Sequence, residues 1–193
     1  FHDEIRKKAA GRLGRLGNPS AVDPLIGRLT NDKSPMVRVV AVRALYNIGD
    51  DRAWDSIRNS LQYDKSAEVR RTAAEILGEV GDKQFAHDLE KVLEDEKQVR
   101  EQAAISIGKL KNPEIIEVLI RGLRSVNSGE GNIDFEFAHI QALIQMGPMV
   151  VNAVIASAKI VPEDYCGYES RNGEYILLEH KYVSRQSRRC YYE

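Results

Sequence analysis

A repeat of about 32 residues is the feature of this sequence that most restricts its fold. An apolar residue followed by arginine recurs at steps of 32, 32 and 30 residues, at Ile5-Arg6, Val37-Arg38, Val69-Arg70 and Val99-Arg100. Each apolar stretch then closes at a matching position, held by Gly17, Gly49, Gly81, Lys111 and, after a longer unit, Gly147. A fixed period of this length predicts a stack of five similar units over about residues 5 to 161.

Each unit has the hydrophobic pattern of two short helices. In the second unit, apolar residues lie three and four positions apart over 37–48 and again over 53–61, which is the period of a helix with one buried face. Ser34-Pro35 is typical of a helix start and Gly49 of a helix end. Helices of about 11 to 13 residues are not stable alone in water, so each must pack on its partner and on the next unit.

These patterns predict an all-α protein built as a right-handed α-α superhelix of about five helical pairs. When the second helices are aligned, one core column consists only of leucines, namely Leu29, Leu61, Leu93 and Leu123. Since a stack of helical pairs buries such a column continuously, we expect a repeat domain over 1–161 and a separate tail over 162–193.

Charged residues recur at the turn that precedes each first helix. An aspartate precedes each first helix and an arginine lies in its first turn, giving the pairs Asp32 with Arg38, Asp64 with Arg70, and Asp95 with Arg100. Because an arginine and a carboxylate can form two parallel hydrogen bonds, we expect these pairs to form a structural ladder that fixes the angle between units.

The repeated motif resembles a known family. The segments "VRVVAVRALYNIGDDRAWDSIRNSL" at 37–61 and "VRRTAAEILGEVGDKQFAHDLEKVL" at 69–93 are similar to the short HEAT repeats first associated with phycobilisome lyases. The resemblance covers about four fifths of the chain and implies an armadillo-like helical solenoid. It also implies that the second helix of each unit lines the concave face. Many unrelated binding proteins use this repeat, so the resemblance says little about function.

One column of the second helices is the candidate binding surface. It carries a polar or charged residue in each of the first four units, and the residues one helical turn further on add polar groups. The candidate partner-binding residues are Asp23, Asp55, Asn59, His87, Lys91, Glu117 and Arg121. Neighbouring members should lie roughly 10 Å apart, which suits an extended protein segment and is too wide for a pair of catalytic carboxylates. We therefore predict a non-enzymatic scaffold or adaptor whose partner is another protein, in a possible hetero-oligomer.

The resemblance also implies an alternative function, as one subunit of a phycobilin lyase or isomerase that holds an open-chain tetrapyrrole. Trp54, Tyr46 and Tyr63 could stack on such a chromophore, although packing between units explains Trp54 equally well. Cys166 and Cys190 lie outside the repeats, so no motif supports a covalent relay through them. A solvated helical surface without a partner is the plainest explanation of the charged residues.

The tail after Pro162 differs from the repeats, because six of the eight tyrosines fall between Tyr165 and Tyr192. Asn172-Gly173 lies between segments rich in Tyr, Ile, Leu and Val, which predicts a β-hairpin. Such a segment could cap the solenoid or reach a partner. A further alternative is an RNA-contacting module, because Arg185, Arg188 and Arg189 adjoin two tyrosines.

Composition narrows the other possibilities. The 28 basic and 29 acidic residues give a formal net charge of −1, which makes nucleic acid an unlikely partner for the whole molecule and argues against a membrane surface. Two cysteines and four scattered histidines predict no disulfide framework, no metal site and no cofactor. His139 falls in an alanine column of the first helices, so we expect it to be a packed core residue. A cytoplasmic location is expected, and the missing initiator methionine is expected to reflect a fragment or a processed chain.

Overall fold

The structure is a computed structural model, and it describes residues 2–126, 133–148, 150–151, 168–171 and 174–177. Side chains are described for 2–120, 138–148 and 150–151. The chain divides into two compact units, Phe1–Met146 and Gly147–Glu193. The boundary predicted at 161 and 162 lies outside the described residues and stays a prediction.

The part Phe1–Met146 consists of helices arranged in pairs, as the repeat predicts. In the first three pairs a short 3-10 turn, at Pro19–Ala21, Asp51–Ala53 and Lys83–Phe85, precedes the second helix. The helices are α1 (His2–Leu16), α2 (Val22–Asn31), α3 (Pro35–Ile48), α4 (Trp54–Tyr63), α5 (Ala67–Val80), α6 (Ala86–Glu90), α7 (Lys97–Leu110), α8 (Glu114–Val126) and α9 (Ile133–Met146). No helix of the described part is long and apolar enough to cross a membrane.

Helix starts and ends lie at the proline and glycine positions of the repeat. Pro35 takes the first turn of α3, and Gly49 follows it with a left-handed backbone at φ 70°. The side chain of Ser34 makes no capping hydrogen bond, so proline geometry marks this start. Lys111 adopts φ 47° at the glycine position of the fourth unit, which shows that the repeat imposes this left-handed turn even on a residue that disfavours it.

The predicted core columns are buried. Leu29, Leu61 and Leu93 are each at most 1% exposed, and the side chain of Leu123 lies outside the described residues. His139 is 8% exposed, which confirms the prediction that it is a packed residue. The solenoid core therefore runs between the two layers of helices, as the helical period requires.

The first helices form the more closely packed layer. α1 packs along α3, and α5 along α7, over much of their length, whereas α2, α4 and α6 meet their successors at only a few positions. Small residues allow this approach, because a Cβ on Gly14 would lie 2.6 Å from the Cα of Ala44, and one on Gly78 would lie 2.8 Å from the Cα of Ser106.

The two layers therefore differ in how closely their helices pack. First helices approach one another at glycine, alanine and serine, whereas second helices meet their successors at fewer positions. The expectation that the second helices line the concave face, which the family resemblance implies, stays a prediction.

The charged ladder is present, but its pairing is displaced by one repeat. Both side-chain oxygens of Asp64 accept hydrogen bonds from Arg38, at 2.7 Å each, and those of Asp95 accept from Arg70 at 2.7 Å. Asp32 is paired in the same way with Arg6, which sequence analysis left out.

The expected pairing within one unit is therefore wrong for the side chains of Arg38 and Arg70. Each arginine instead reaches the preceding aspartate through its backbone, since Arg38 donates to the carbonyl oxygen of Asp32 at 2.8 Å and Arg70 to that of Asp64 at 2.8 Å. Arg100 contacts the carbonyl oxygen of Asp95 at 3.2 Å. One guanidinium thus joins two consecutive interhelix turns, because its fork faces the next unit of the stack.

The shorter third unit keeps this pairing by shortening its second helix. α6 ends at Glu90, and the chain continues to Leu93 through tighter turns with amide-to-carbonyl bonds three residues apart. Asp95 consequently lies 25 residues after Arg70, against 26 for the other pairs, and still accepts both hydrogen bonds. The third unit thus keeps the arginine–aspartate contact of the other units, and its second helix is shorter.

The described part of Gly147–Glu193 includes two short strands. β1 (Tyr168–Arg171) and β2 (Glu174–Leu177) pair antiparallel, with Tyr168 opposite Leu177. Asn172-Gly173, on which the hairpin prediction rests, lies between them and outside the described residues, as do the arginines and tyrosines of 185–192.

Candidate partner-binding surface on the second helices

The predicted binding residues lie on the outward face of the second helices. Asp23 is on α2, Asp55 and Asn59 on α4, His87 on α6 and Glu117 on α8, and all five are exposed. Lys91 is exposed in the turn that follows α6. The backbone of Arg121 belongs to α8, and its side chain lies outside the described residues. The column is therefore accessible, as a binding surface must be.

Three of these residues share one groove. The α4–α6 groove, of about 360 Å³, brings Asp55, Asn59 and Lys91 together. The other residues that line it are Arg58, Gln62, Tyr63 and Asp88. A groove with charged and amide groups on both walls can hydrogen-bond to the backbone and side chains of a bound segment.

Asp88 forms the buried floor of this groove and is the residue that sequence analysis overlooked. Its side chain is only 5% exposed, although it lies beside the exposed His87. It accepts hydrogen bonds from Nε of Arg58 at 2.6 Å and from the amide of Gln62 at 3.0 Å, and Nζ of Lys91 lies 3.6 Å away. The hydrogen bond from Arg58 to Asp88 raises the pKa of Arg58.

A pattern in the sequence could have pointed to Asp88. Asp88 is equivalent to Pro24 in the first unit and to Ser56 in the second unit, so the third unit has a carboxylate where those two units have none. A charged residue at a partly covered position is costly to bury without a partner. The arginine and glutamine on α4 supply that partner here, and they join the second helices of the second and third units.

The remaining candidates do not share the groove. Asp23 pairs with Arg52 of the next unit, with Nη1 of Arg52 3.2 Å from the carboxylate. Nη2 of the same arginine donates to the carbonyl oxygen of Pro19 at 3.0 Å. Asp23 thus serves an exposed link between the first two units, whereas the side chain of Asp55 is 95% exposed and lies 3.5 Å from Nη1 of Arg58 in its own helix.

Tyr63 separates the α4–α6 groove from a second groove at the turns that precede α3 and α5. Its side chain is exposed, at 74% for the residue, and lines both grooves. This second groove, which we name the lysine groove, has a volume of about 400 Å³. Its lining residues are Thr30, Asp32, Lys33, Arg38, Tyr63, Asp64 and Lys65.

The aromatic candidates for chromophore stacking have different surroundings. Trp54 packs against Phe85 of the next unit, with ring centroids 6.2 Å apart, and its Nε1 donates to Asp51 at 3.2 Å. Trp54 thus serves packing between units, which is the simpler of the two expected roles. Within the described residues, no three histidine, cysteine or acidic side chains come together as a metal site would require.

Comparison with known proteins agrees with this architecture. The family model for HEAT repeats matches residues 1–66 and 55–130. Among solved structures, the complex of CpcE and CpcF of phycocyanin lyase from Nostoc sp. PCC7120 contains a similar chain, with 23% sequence identity and a TM-score of 0.55. The match covers 79% of the present chain and 64% of the matched chain, and at this identity it shows the fold alone. No curated protein matches the sequence.

Proposed function

Because this chain belongs to the HEAT repeat family, we propose that it is a non-enzymatic interaction module that binds an extended segment of a partner protein across its second helices. The observation that carries the proposal is the α4–α6 groove, in which Asp55, Asn59 and Lys91 from two consecutive units converge. A partner segment crossing the groove would meet polar groups from both units at once.

Hydrogen bonds across the groove floor support this function. Asp88 accepts hydrogen bonds from Arg58 and Gln62, so we expect these three side chains to be ordered before a partner arrives. Binding to an ordered surface costs less side-chain entropy than binding to a mobile one. Asp55, Asn59 and Lys91 remain exposed above that floor and are the groups that would recognise the partner.

Charge reversal on the groove walls tests the proposal. We expect Asp55→Arg and Lys91→Glu each to lower capture of the partner at least tenfold, measured by affinity capture from a native extract with quantitative mass spectrometry. Glu101→Arg on α7 is the control, because Glu101 is half-exposed on a first helix and does not line this groove. Unchanged capture of every protein by both groove variants would contradict the assignment.

The lyase-like alternative has a direct test of its own. The similar solved chain belongs to a phycocyanin lyase complex, and 23% identity is too low to transfer that activity. On the interaction-module proposal, mixing the protein with a free open-chain tetrapyrrole leaves the absorbance spectrum of the pigment unchanged. A shifted and intensified band that disappears in the Trp54→Ala variant would favour the lyase-like role instead.

A further inference from the structure

The lysine groove beside Tyr63 has an excess of positive charge that the fold does not use. Both of its aspartates are fully engaged, since Asp32 pairs with Arg6 and Asp64 with Arg38, each through two hydrogen bonds of 2.7 to 2.8 Å. Lys33 and Lys65 form no ion pair with any residue that the structure describes. Two exposed ammonium groups are therefore left facing one groove.

The ladder keeps this charge in place. The hydrogen bond from Arg6 lowers the pKa of Asp32 to about 2, so the carboxylate stays ionised and stays committed to its arginine. Arg38, only 11% exposed, is likewise held between Asp64 and the carbonyl oxygen of Asp32. These groups do not rearrange to neutralise the lysines, because each one joins two units.

Tyr63 supplies the second element of a recognition site. Tyrosine is enriched among residues that dominate protein interfaces, because its ring offers a large contact area at a small entropy cost and its hydroxyl forms hydrogen bonds. Tyr63 is the aromatic residue among those lining the lysine groove, and it lines the α4–α6 groove on its other side. A segment lying across the ring would enter both grooves.

The two grooves differ in charge, which gives the segment a direction. The α4–α6 groove has two carboxylates, Asp55 and Asp88, against two cations, Arg58 and Lys91. The lysine groove has three cations, Lys33, Arg38 and Lys65, against two carboxylates, Asp32 and Asp64. An acidic side chain is therefore attracted to the lysine side of Tyr63 rather than to the α4–α6 side.

We propose that the lysine groove binds an aspartate or glutamate side chain of the partner protein, with Tyr63 packing against the residue next to it. This inference rests on the proposed function, and it specifies the chemistry and direction of the bound segment. The carboxylate lies between Lys33 and Lys65, and the segment continues across Tyr63 toward Asp55 and Lys91.

A library of random 12-residue peptides displayed on phage is the probe for this proposal. Selection is carried out on the immobilised whole protein, and binding of the enriched peptides is then measured as synthetic peptides. We expect an acidic residue in the enriched sequences, and at least tenfold weaker binding to Lys33→Glu/Lys65→Glu. The matched control is Lys97→Glu/Lys109→Glu, which makes the same change in net charge on α7 and should bind as the unmodified protein does.

Variants at Tyr63 separate the ring from its hydroxyl. Tyr63→Ala should weaken the same peptides at least tenfold, and Tyr63→Phe should retain most of the affinity. Because Tyr63, Lys33 and Lys65 are exposed, none of these variants should alter the urea midpoint of unfolding, so a loss of binding reports on the surface itself.

The outcomes distinguish this inference from the function on which it rests. Peptides that lose binding with Asp55→Arg but not with Lys33→Glu/Lys65→Glu would overturn the lysine groove and leave the interaction module standing. Enriched peptides without acidic residues would overturn it as well. A library that yields no specific binder would contradict both proposals.

Discussion

The two helix layers of this solenoid are built from the same repeat and meet their neighbours in different ways. First helices approach until backbones touch, as at Gly78 and Ser106, where the Ser106 hydroxyl also donates to the carbonyl oxygen of Ala74 at 2.8 Å. Second helices stay apart and leave grooves, as between α4 and α6. One layer therefore holds the stack together, and the other leaves polar grooves at the surface.

This difference teaches where each kind of substitution should act. Close packing leaves no room for added atoms, so changes in the first layer should alter stability. Exposed groups above the grooves of the second layer contribute little to folding. The arginine–aspartate ladder lies at the turns that join the layers, and it is the polar contact that recurs between units.

Breaking the ladder should have the largest effect. Arg70→Ala should lower the free energy of unfolding by about 3 kcal/mol, because Asp95, with a side chain only 17% exposed, would lose its cationic partner. Urea denaturation measures this change. Arg43→Ala is the matched control, since Arg43 also joins two units, through Glu75, but is 44% exposed. The control should cost less than about 1 kcal/mol, and equal losses for the two variants would refute a special role for the ladder.

A glycine-to-alanine substitution should change the free energy of unfolding in opposite directions in the two layers. Gly78→Ala places a methyl group against the backbone and side chain of Ser106, and should destabilise the protein by about 2 kcal/mol. Gly27→Ala on α2 meets no atom within 4 Å, and should stabilise it by about 0.5 kcal/mol through helix propensity. Thermal unfolding of both variants gives the comparison. Two shifts in the same direction would show that the layers are packed alike.

Acid should weaken the ladder by a smaller amount. The hydrogen bond from Arg6 lowers the pKa of Asp32 from 3.8 to about 2, so its contribution to stability is complete above about pH 4 and is lost as the pH falls toward 2. We expect this group to account for on the order of 1 kcal/mol of the loss. Between pH 5 and pH 2, the unfolding free energy of Arg6→Met should therefore fall by about that amount less than the unfolding free energy of the unmodified protein. Parallel curves would contradict the prediction.

Much of the fold could be predicted because the repeat is a local pattern. Helix periodicity, the left-handed ends at Gly49 and Lys111, and the leucine column all depend on residues within one unit. The candidate binding residues whose side chains are described are exposed, as such a role requires, and their binding of a partner stays a prediction. What could not be predicted is which of its members share a groove, because that depends on the distance between units rather than on the spacing along one helix.

The sequence by itself determined the helical pairs, their ends and their buried faces, since each follows from the order of apolar residues, glycines and prolines within about 32 positions. Only the tertiary structure decided that Arg38 pairs with Asp64 rather than with Asp32, that Asp88 is buried beside Arg58, and that the second helices pack less closely than the first. These features depend on the rise and rotation from one unit to the next. That displacement results from the packing of all the side chains between two units, and no single segment encodes it.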